Sequence, residues 1–477
     1  MSAPRISLMD LSDRELIHES SLSLLERVGV RFGSPLALQA MEEAGCRVDY
    51  QDGTVRIPRG LVEWAVAQLK RNVLLAGRTR SHDAILDGSH TYCTVAGICP
   101  SVVDMDTAIL RSPGLEDLAT LTRMADSLDA FGLVWYSVSP TDGVAPKMTD
   151  LAAAACLLAN TDKHVMSQIV DPAQVPYALE ILELCAESGS PALHPLFSVI
   201  YCPVAPLQHD GKAIEAAMMM ARSHVPIDIF SLGLAGATAP VTLAGTITQT
   251  NCEVLSTVVL LQAVAPGCPL IYSANAAIMD MRTSRCAVAT PETILMNIAQ
   301  IELAHSYNMP ALSVGFVSDA GDLGFRAGME DIGFALATRL AKPDIMTGLG
   351  TLASGQAVSY SKMLLDAELV GYVERVARGL TIDPDHVAVS VIAEVGPGGH
   401  YLGRKETRIG VRSGEHWAPT LFNRALEGSR AGALAGPGQT REAVESLLAG
   451  HAPEPLSANA TAQIADVLRR AEAELPD

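Results

Sequence analysis

Apolar and polar positions along the chain repeat one pattern eight times: a short apolar segment, a small or polar break, then a longer stretch with helical spacing. The apolar segments are residues 93–98, 131–137, 164–169, 196–202, 226–232, 268–274, 309–316 and 344–349, roughly 30–42 residues apart. Eight consecutive β-then-α units predict an α/β protein with a TIM-type (β/α)8 barrel over residues 91–376. Residues 1–90 are expected to form an N-terminal helical cap, and 377–477 a C-terminal helical extension packed on the barrel. Within the cap, helices are predicted over 11–30, 35–45 and 59–70 and a small strand pair within 72–92. Ser12 and Glu15 have the spacing of a capping box. Further helices are predicted over 387–395, 439–450 and 460–474.

A barrel of this kind carries its chemistry at the C-terminal ends of its strands. Those ends are marked by switches to small or polar residues, as at Tyr136-Ser-Val-Ser-Pro140, Tyr201-Cys-Pro203, Ser231-Leu-Gly233, Tyr272-Ser-Ala-Asn275 and Gly348-Leu-Gly350. The loop after the fifth strand, Gly233 to Pro240, is rich in Gly and Ala. Its glycines either make a tight turn or let backbone approach a ligand. The helix that follows opens at Val241, and its N–H groups and dipole favour a carboxylate.

Composition narrows the class. Of the 477 residues, 49% are apolar, enough to fill a large barrel core, whereas only 4% are aromatic, so a ring at a strand end stands out. The net charge of −19 argues against a nucleic-acid or anionic-membrane partner. Nine cysteines without a C-x-x-C pair fit a reducing compartment, and the start of the chain has no apolar signal-peptide core, so a cytoplasmic location is expected. The uncharged run between Glu253 and Asp280 is broken by Pro266, Gly267 and Pro269, and reads as barrel interior rather than a membrane span. Apolar composition and rim helices point to a homo-oligomer.

Several segments carry a resemblance. Gly236-Ala-Thr-Ala-Pro-Val-Thr-Leu-Ala-Gly245, Met279-Asp-Met-Arg-Thr283, Asn160-Thr-Asp-Lys-His164 and Glu394-Val-Gly-Pro-Gly-Gly-His400 resemble the trimethylamine methyltransferase (MttB) family, as do Cys202-Pro203 with Pro206-Leu207 and Leu364-Leu-Asp-Ala-Glu-Leu-Val-Gly371. The resemblance runs from about residue 10 to about residue 455 and implies a TIM barrel. It also implies transfer of a methyl group from a methylated amine to a corrinoid (cobalamin), carried by a separate corrinoid protein. Founding members contain pyrrolysine. This chain has only standard residues and reads Phe316-Val-Ser-Asp-Ala-Gly-Asp322 after the seventh strand, where relatives often have Thr-Asp-Ser-Lys. It therefore resembles the non-pyrrolysine members, some of which demethylate quaternary amines such as glycine betaine. The alternatives are a different methyl donor or acceptor, such as a folate, and a non-catalytic relative that binds betaine-like cations.

A quaternary amine leaves as a neutral amine, so the reaction needs no general acid. It needs a cation box, a grip on any substrate carboxylate and an open barrel mouth. Candidates for the box are Tyr136, Tyr201, Phe230 and Phe316, with Trp135 if its ring faces inward. Trp135 and Tyr136 are adjacent on one strand, so only one of them faces the interior. Asp104, Asp280, Asp319 and Glu394 are the acidic candidates. Asp319, nearest the family's special residue, is the candidate catalytic carboxylate. Asp280 and Arg282 either serve the site or pair with each other. Arg282, Asn275, Thr238, Gln168 and His400 are candidates for holding the substrate, and Gly236, Gly348 and Gly350 for close approach of the cofactor. His164 opens the third strand, at the end away from the site, and reads as structural. Cys99, Cys202 and His400 have no ligand spacing, so no zinc or other metal is expected.

Overall fold

In the computed structural model, which describes residues 3–95, 97–186, 194–421 and 439–476, all eight apolar segments are strands of one parallel sheet. We number these barrel strands β1 (Tyr92–Val95), β2 (Leu133–Trp135), β3 (His164–Ser167), β4 (Phe197–Tyr201), β5 (Ile227–Ser231), β6 (Leu270–Ala274), β7 (Ala311–Val314) and β8 (Ile345–Leu349). Seven neighbouring pairs hydrogen-bond in parallel register, from β2 through β8 and on to β1. At the remaining seam between β1 and β2, the Gly132 N–H donates to the Cys93 carbonyl (2.9 Å) and the Trp135 N–H to Thr94 Oγ1 (3.0 Å). The strands read as near-continuous apolar runs because helices cover the outside of the barrel and side chains fill the inside.

One helix follows each strand: Leu115–Ser127, Thr149–Ala159, Val175–Cys185, Gly211–Arg222, Leu243–Val264, Pro291–Ser306, Phe325–Ala341 and Tyr360–Ala377. The helix after β5 opens two residues later than its sequence pattern suggested, with Thr242 at the cap.

Before the barrel, helices Leu11–Arg27, Pro35–Glu43 and Arg59–Ala67 alternate with three-residue strands. Strands Val30–Phe32, Thr54–Arg56 and Arg47–Asp49 form a small sheet with Gln208–His209 from the β4 loop. These strands are too short to show alternation in the sequence. The first helix is capped differently from the expectation. Asp10 is the cap, accepting from the Asp13 N–H (2.9 Å), and the Asp13 carboxylate answers the Asp10 N–H (3.2 Å). Ser12, two residues past the cap and inside the helix, donates to Asp10 (2.7 Å) instead of capping with Glu15.

The pair Val73–Leu75 and Ala84–Leu86 belongs to the segment that closes the N-terminal end of the barrel. There Arg71 lies 3.0 Å from the Asp344 carboxylate, which also accepts the N–H groups of Gly88 and Ala311. His164 bridges the Ala76 carbonyl (3.1 Å) and Ser198 Oγ (2.9 Å), and its burial lowers its pKa to about 3. It is a neutral strut at the end opposite the strand tips.

After the barrel, helix Ala458–Glu474 packs on the helix after β3, and Gln439–Ala449 on the helix after β1. Between the last barrel helix and these two, helices Pro384–Val387, Val389–Val395 and Lys405–Arg412 bury no residue. Among the described residues, no helix is long and apolar enough to cross a membrane.

Candidate active site

A cavity of about 290 Å³ lies at the C-terminal ends of the strands. Every strand except β3 contributes to its wall at or just past its end: Gly97 and Ile98 after β1, Trp135, Ile200, Phe230, Asn275, Val314 and Thr347. The helix after β6 adds Thr293 and Asn297, and the loop after β8 adds Thr351, Ser354 and Gly355.

Two rings frame it. Trp135 and Phe230 meet edge to face, with centroids 6.2 Å apart and planes at 69°. Strand alternation explains why it is Trp135 rather than Tyr136 that reaches the cavity. The Trp135 ring fits because residue 97 is glycine, where a Cβ would come within 2.8 Å of the indole. No Asp, Glu, Lys, Arg or His lines the cavity among the described residues. One layer below Phe230 on the same strand face, Asp228 is wholly buried; burial, partly offset by Ser273, pushes its pKa up to about 8. Burial therefore favours the uncharged form of this carboxyl beneath Phe230.

The loops after β6, β7 and β8 are tied together at Asp319. Its carboxylate accepts the N–H groups of Val288 (3.0 Å) and Ala289 (3.2 Å) and the hydroxyl of Ser354 (2.8 Å). Val288 and Ser354 line the cavity, whereas Asp319 itself does not. Glu330 holds this brace from behind by accepting Ser318 Oγ (2.6 Å) and the Asp319 N–H (2.9 Å). Ala353 and Ser354 both have positive φ (53° and 58°), strain of a kind found where a surrounding network over-determines the backbone. Behind β8, Lys362 is buried between Asp331 (2.9 Å) and Asp366 (2.7 Å), and Asp366 accepts the Gly350 N–H (2.7 Å).

Of the residues singled out from the sequence, Cys202, Phe230, Asn275 and Gly348 line the cavity, together with Trp135. The others lie elsewhere. Tyr136 is buried near Asp150, to which Gln168 donates (3.2 Å). The Tyr201 hydroxyl pairs with His209 Nδ1 (2.7 Å). Phe316 is fully buried beside β8, its carbonyl 2.1 Å from where a Cβ on Gly348 would stand. Thr238 Oγ1 accepts the Leu234 N–H within the β5 loop, where Gly236 turns with φ of 89°. The Arg282 side chain is 95% exposed and 3.9 Å from Asp280, which also accepts the Arg282 N–H and Thr283 Oγ1 to brace the loop. His400 is exposed, and Glu394 pairs with Arg404. Asp104 pairs with Arg111 (2.9 Å) on the β1 loop, and the bond lowers its pKa. No group of three or more His, Cys, Asp or Glu residues is placed to hold a metal ion, among the described residues.

Two cavity residues that the sequence reading passed over are Thr293 and Asn297. They lie one helical turn apart on Pro291–Ser306, not at a strand end. Their signal was a polar pair at i and i+4 interrupting an apolar helix.

Known proteins show what this chain is similar to. The family model for trimethylamine methyltransferase (MTTB) matches residues 1–476. Trimethylamine methyltransferase MttB of Desulfitobacterium hafniense (strain DSM 10664 / DCB-2) is 32% identical over 473 residues, covering 98% of this chain and 95% of that protein. Glycine betaine methyltransferase of D. hafniense (strain Y51) is 27% identical over 425 residues, 88% of each. Among solved structures, the monomethylamine methyltransferase of Methanosarcina barkeri aligns over 96% of this chain and 94% of its own, at 12% identity and a TM-score of 0.48. The chain belongs to the trimethylamine methyltransferase (MTTB) family and is a methyltransferase of that family.

Proposed function

We propose that this methyltransferase takes a methyl group from a quaternary amine of the glycine betaine kind, bound in the strand-end cavity, and passes it to a corrinoid held by a partner protein. The observation that carries the reading is a small cavity with two aromatic walls and no charged side chain in its described lining. Ring faces attract a quaternary ammonium without a counter-ion, by roughly 0.5–2 kcal/mol per contact. The apolar remainder accommodates methyl groups. An acid–base pair is unnecessary because the leaving amine is neutral. What this chain contributes is then orientation and exclusion of water.

A cavity of about 290 Å³ suits a small molecule and not a corrin ring, so the corrinoid has to be presented at the barrel mouth. The corrinoid supplies the cobalt(I) nucleophile. On the side of this chain, Trp135 and Phe230 hold the ammonium, Asn275 and Gly348 complete the wall, and Asp319 acts as a positioning residue for Val288 and Ser354. The relative named for glycine betaine supports this substrate class, and the one named for trimethylamine supports a methylated amine more broadly.

The test is product analysis. With glycine betaine carrying deuterated methyl groups, and with the corrinoid protein supplied in its cobalt(I) state, mass spectrometry should find dimethylglycine with two labelled methyl groups. Absence of demethylated product across glycine betaine, carnitine, proline betaine and choline would overturn the proposal.

A further inference from the structure

The cavity's polar side chains divide sharply by whether their hydrogen bonds are already made. Asn275 donates to Ser273 Oγ (2.7 Å) and accepts the Val314 N–H (3.1 Å). Thr293 shares a bond with Thr290 (3.0 Å), Thr347 donates to the Val95 carbonyl (2.7 Å), and Ser354 donates to Asp319 (2.8 Å). Thr351 donates to carbonyls behind the wall. Asn297 is different. It is fully buried and lines the cavity, yet among the described residues neither its Oδ1 nor its Nδ2 has a partner. Trp135, 2% exposed, has an Nε1–H that is likewise unpartnered among the described residues. Native interiors seldom leave such groups unpaired, because a desolvated donor without an acceptor is unfavourable.

Together the two residues offer three N–H donors and one acceptor. A trimethylammonium head can satisfy none of them. A carboxylate only accepts and has room for several donors, whereas a hydroxyl engages fewer of them. The uncharged lining points the same way: a zwitterion brings its own compensating charge into an apolar cavity, and a bare cation does not.

We infer that Asn297 and Trp135 are specificity-determining residues that read a carboxylate on the substrate arm bearing no transferable methyl group. The inference rests on the proposal that a quaternary amine occupies this cavity. Trp135 then acts twice, its face toward the ammonium and its N–H toward the carboxylate.

The experiment is isothermal titration of the full-length protein with glycine betaine, choline and tetramethylammonium, for wild type, Asn297→Leu and Trp135→Phe. Both substitutions remove donors; Asn297→Leu does so at similar size, and Trp135→Phe keeps an aromatic ring. Glycine betaine should bind wild type at least about tenfold tighter than the other two, and each variant should lose about tenfold for glycine betaine. Binding of tetramethylammonium should change less than about twofold in Asn297→Leu, since one lost hydrogen bond cannot touch a ligand that makes none. Tetramethylammonium binding as tightly as glycine betaine would overturn the inference and leave the quaternary-amine site standing. So would equal losses for both ligands in Asn297→Leu. If none of the three binds wild type, the underlying reading fails, and this inference with it. Should Asn297→Leu not fold, Trp135→Phe decides by whether glycine betaine loses more than tetramethylammonium.

Discussion

Asp228→Asn should change how the stability of this protein depends on pH. Asp228 is on β5, paired in register with Ile200 and Ile271, and faces the barrel interior below Phe230. Burial raises its folded pKa to about 8 from an ordinary value of 3.8, with Ser273 partly opposing. Below pH 3.8 the carboxyl is protonated in both folded and unfolded chains, and the site has no effect. Between about pH 4 and pH 8 the unfolded chain releases its proton while the folded one keeps it. Stability then falls by about 1.4 kcal/mol per pH unit, or about 6 kcal/mol across the interval. Above pH 8 both forms are ionised and the loss is complete. Asparagine keeps the shape and never titrates. The wild-type-minus-variant difference, from urea unfolding at pH 5, 7 and 9, should therefore move against wild type by about 4 kcal/mol between pH 5 and pH 8 and level off near pH 8. Parallel pH dependences for the two proteins would refute the buried, neutral acid.

Further outcomes follow from the same structure. Lys362→Met leaves Asp331 and Asp366 facing each other with no cation, and should destabilise by about 3–5 kcal/mol at pH 8, measured by urea unfolding. Because burial and the neighbouring Asp366 raise the pKa of Asp331 even with the lysine present, that loss should shrink as the pH falls. Phe230→Ala should weaken tetramethylammonium binding by roughly 0.5–2 kcal/mol, read by titration calorimetry. Gly348→Ala puts a Cβ 2.1 Å from the Phe316 carbonyl at a φ of 108°, and should lower the melting temperature measurably. Asp319→Asn should slow turnover while leaving the far-ultraviolet spectrum unchanged, because the Val288 and Ser354 walls lose their common anchor.

The barrel was legible because parallel strands covered on both faces must be apolar throughout, which leaves a mark every repeat. The choice between Trp135 and Tyr136 was half legible: alternation allowed only one ring inside, and only the register shows which. Asn297 was not legible at all from strand-end reasoning, because a helix carries it into the cavity. Its significance lies in bonds it does not make, a property of the packed state. Tyr201 and Phe316 looked like site aromatics for the converse reason. They flank strand ends in sequence, but their side chains pack into the protein rather than the cavity. Arg282 and His400 belong to motifs of the family, yet stand in solvent.

The central claim is that methyl transfer takes place at the Trp135–Phe230 cavity. The most direct measurement is single-turnover absorbance of the partner corrinoid on mixing with this protein and glycine betaine. The account predicts that the cobalt(I) band disappears with wild type and does so at least several-fold more slowly with Phe230→Ala at subsaturating substrate. A band that persists with wild type, or that decays equally fast with the variant, would contradict it.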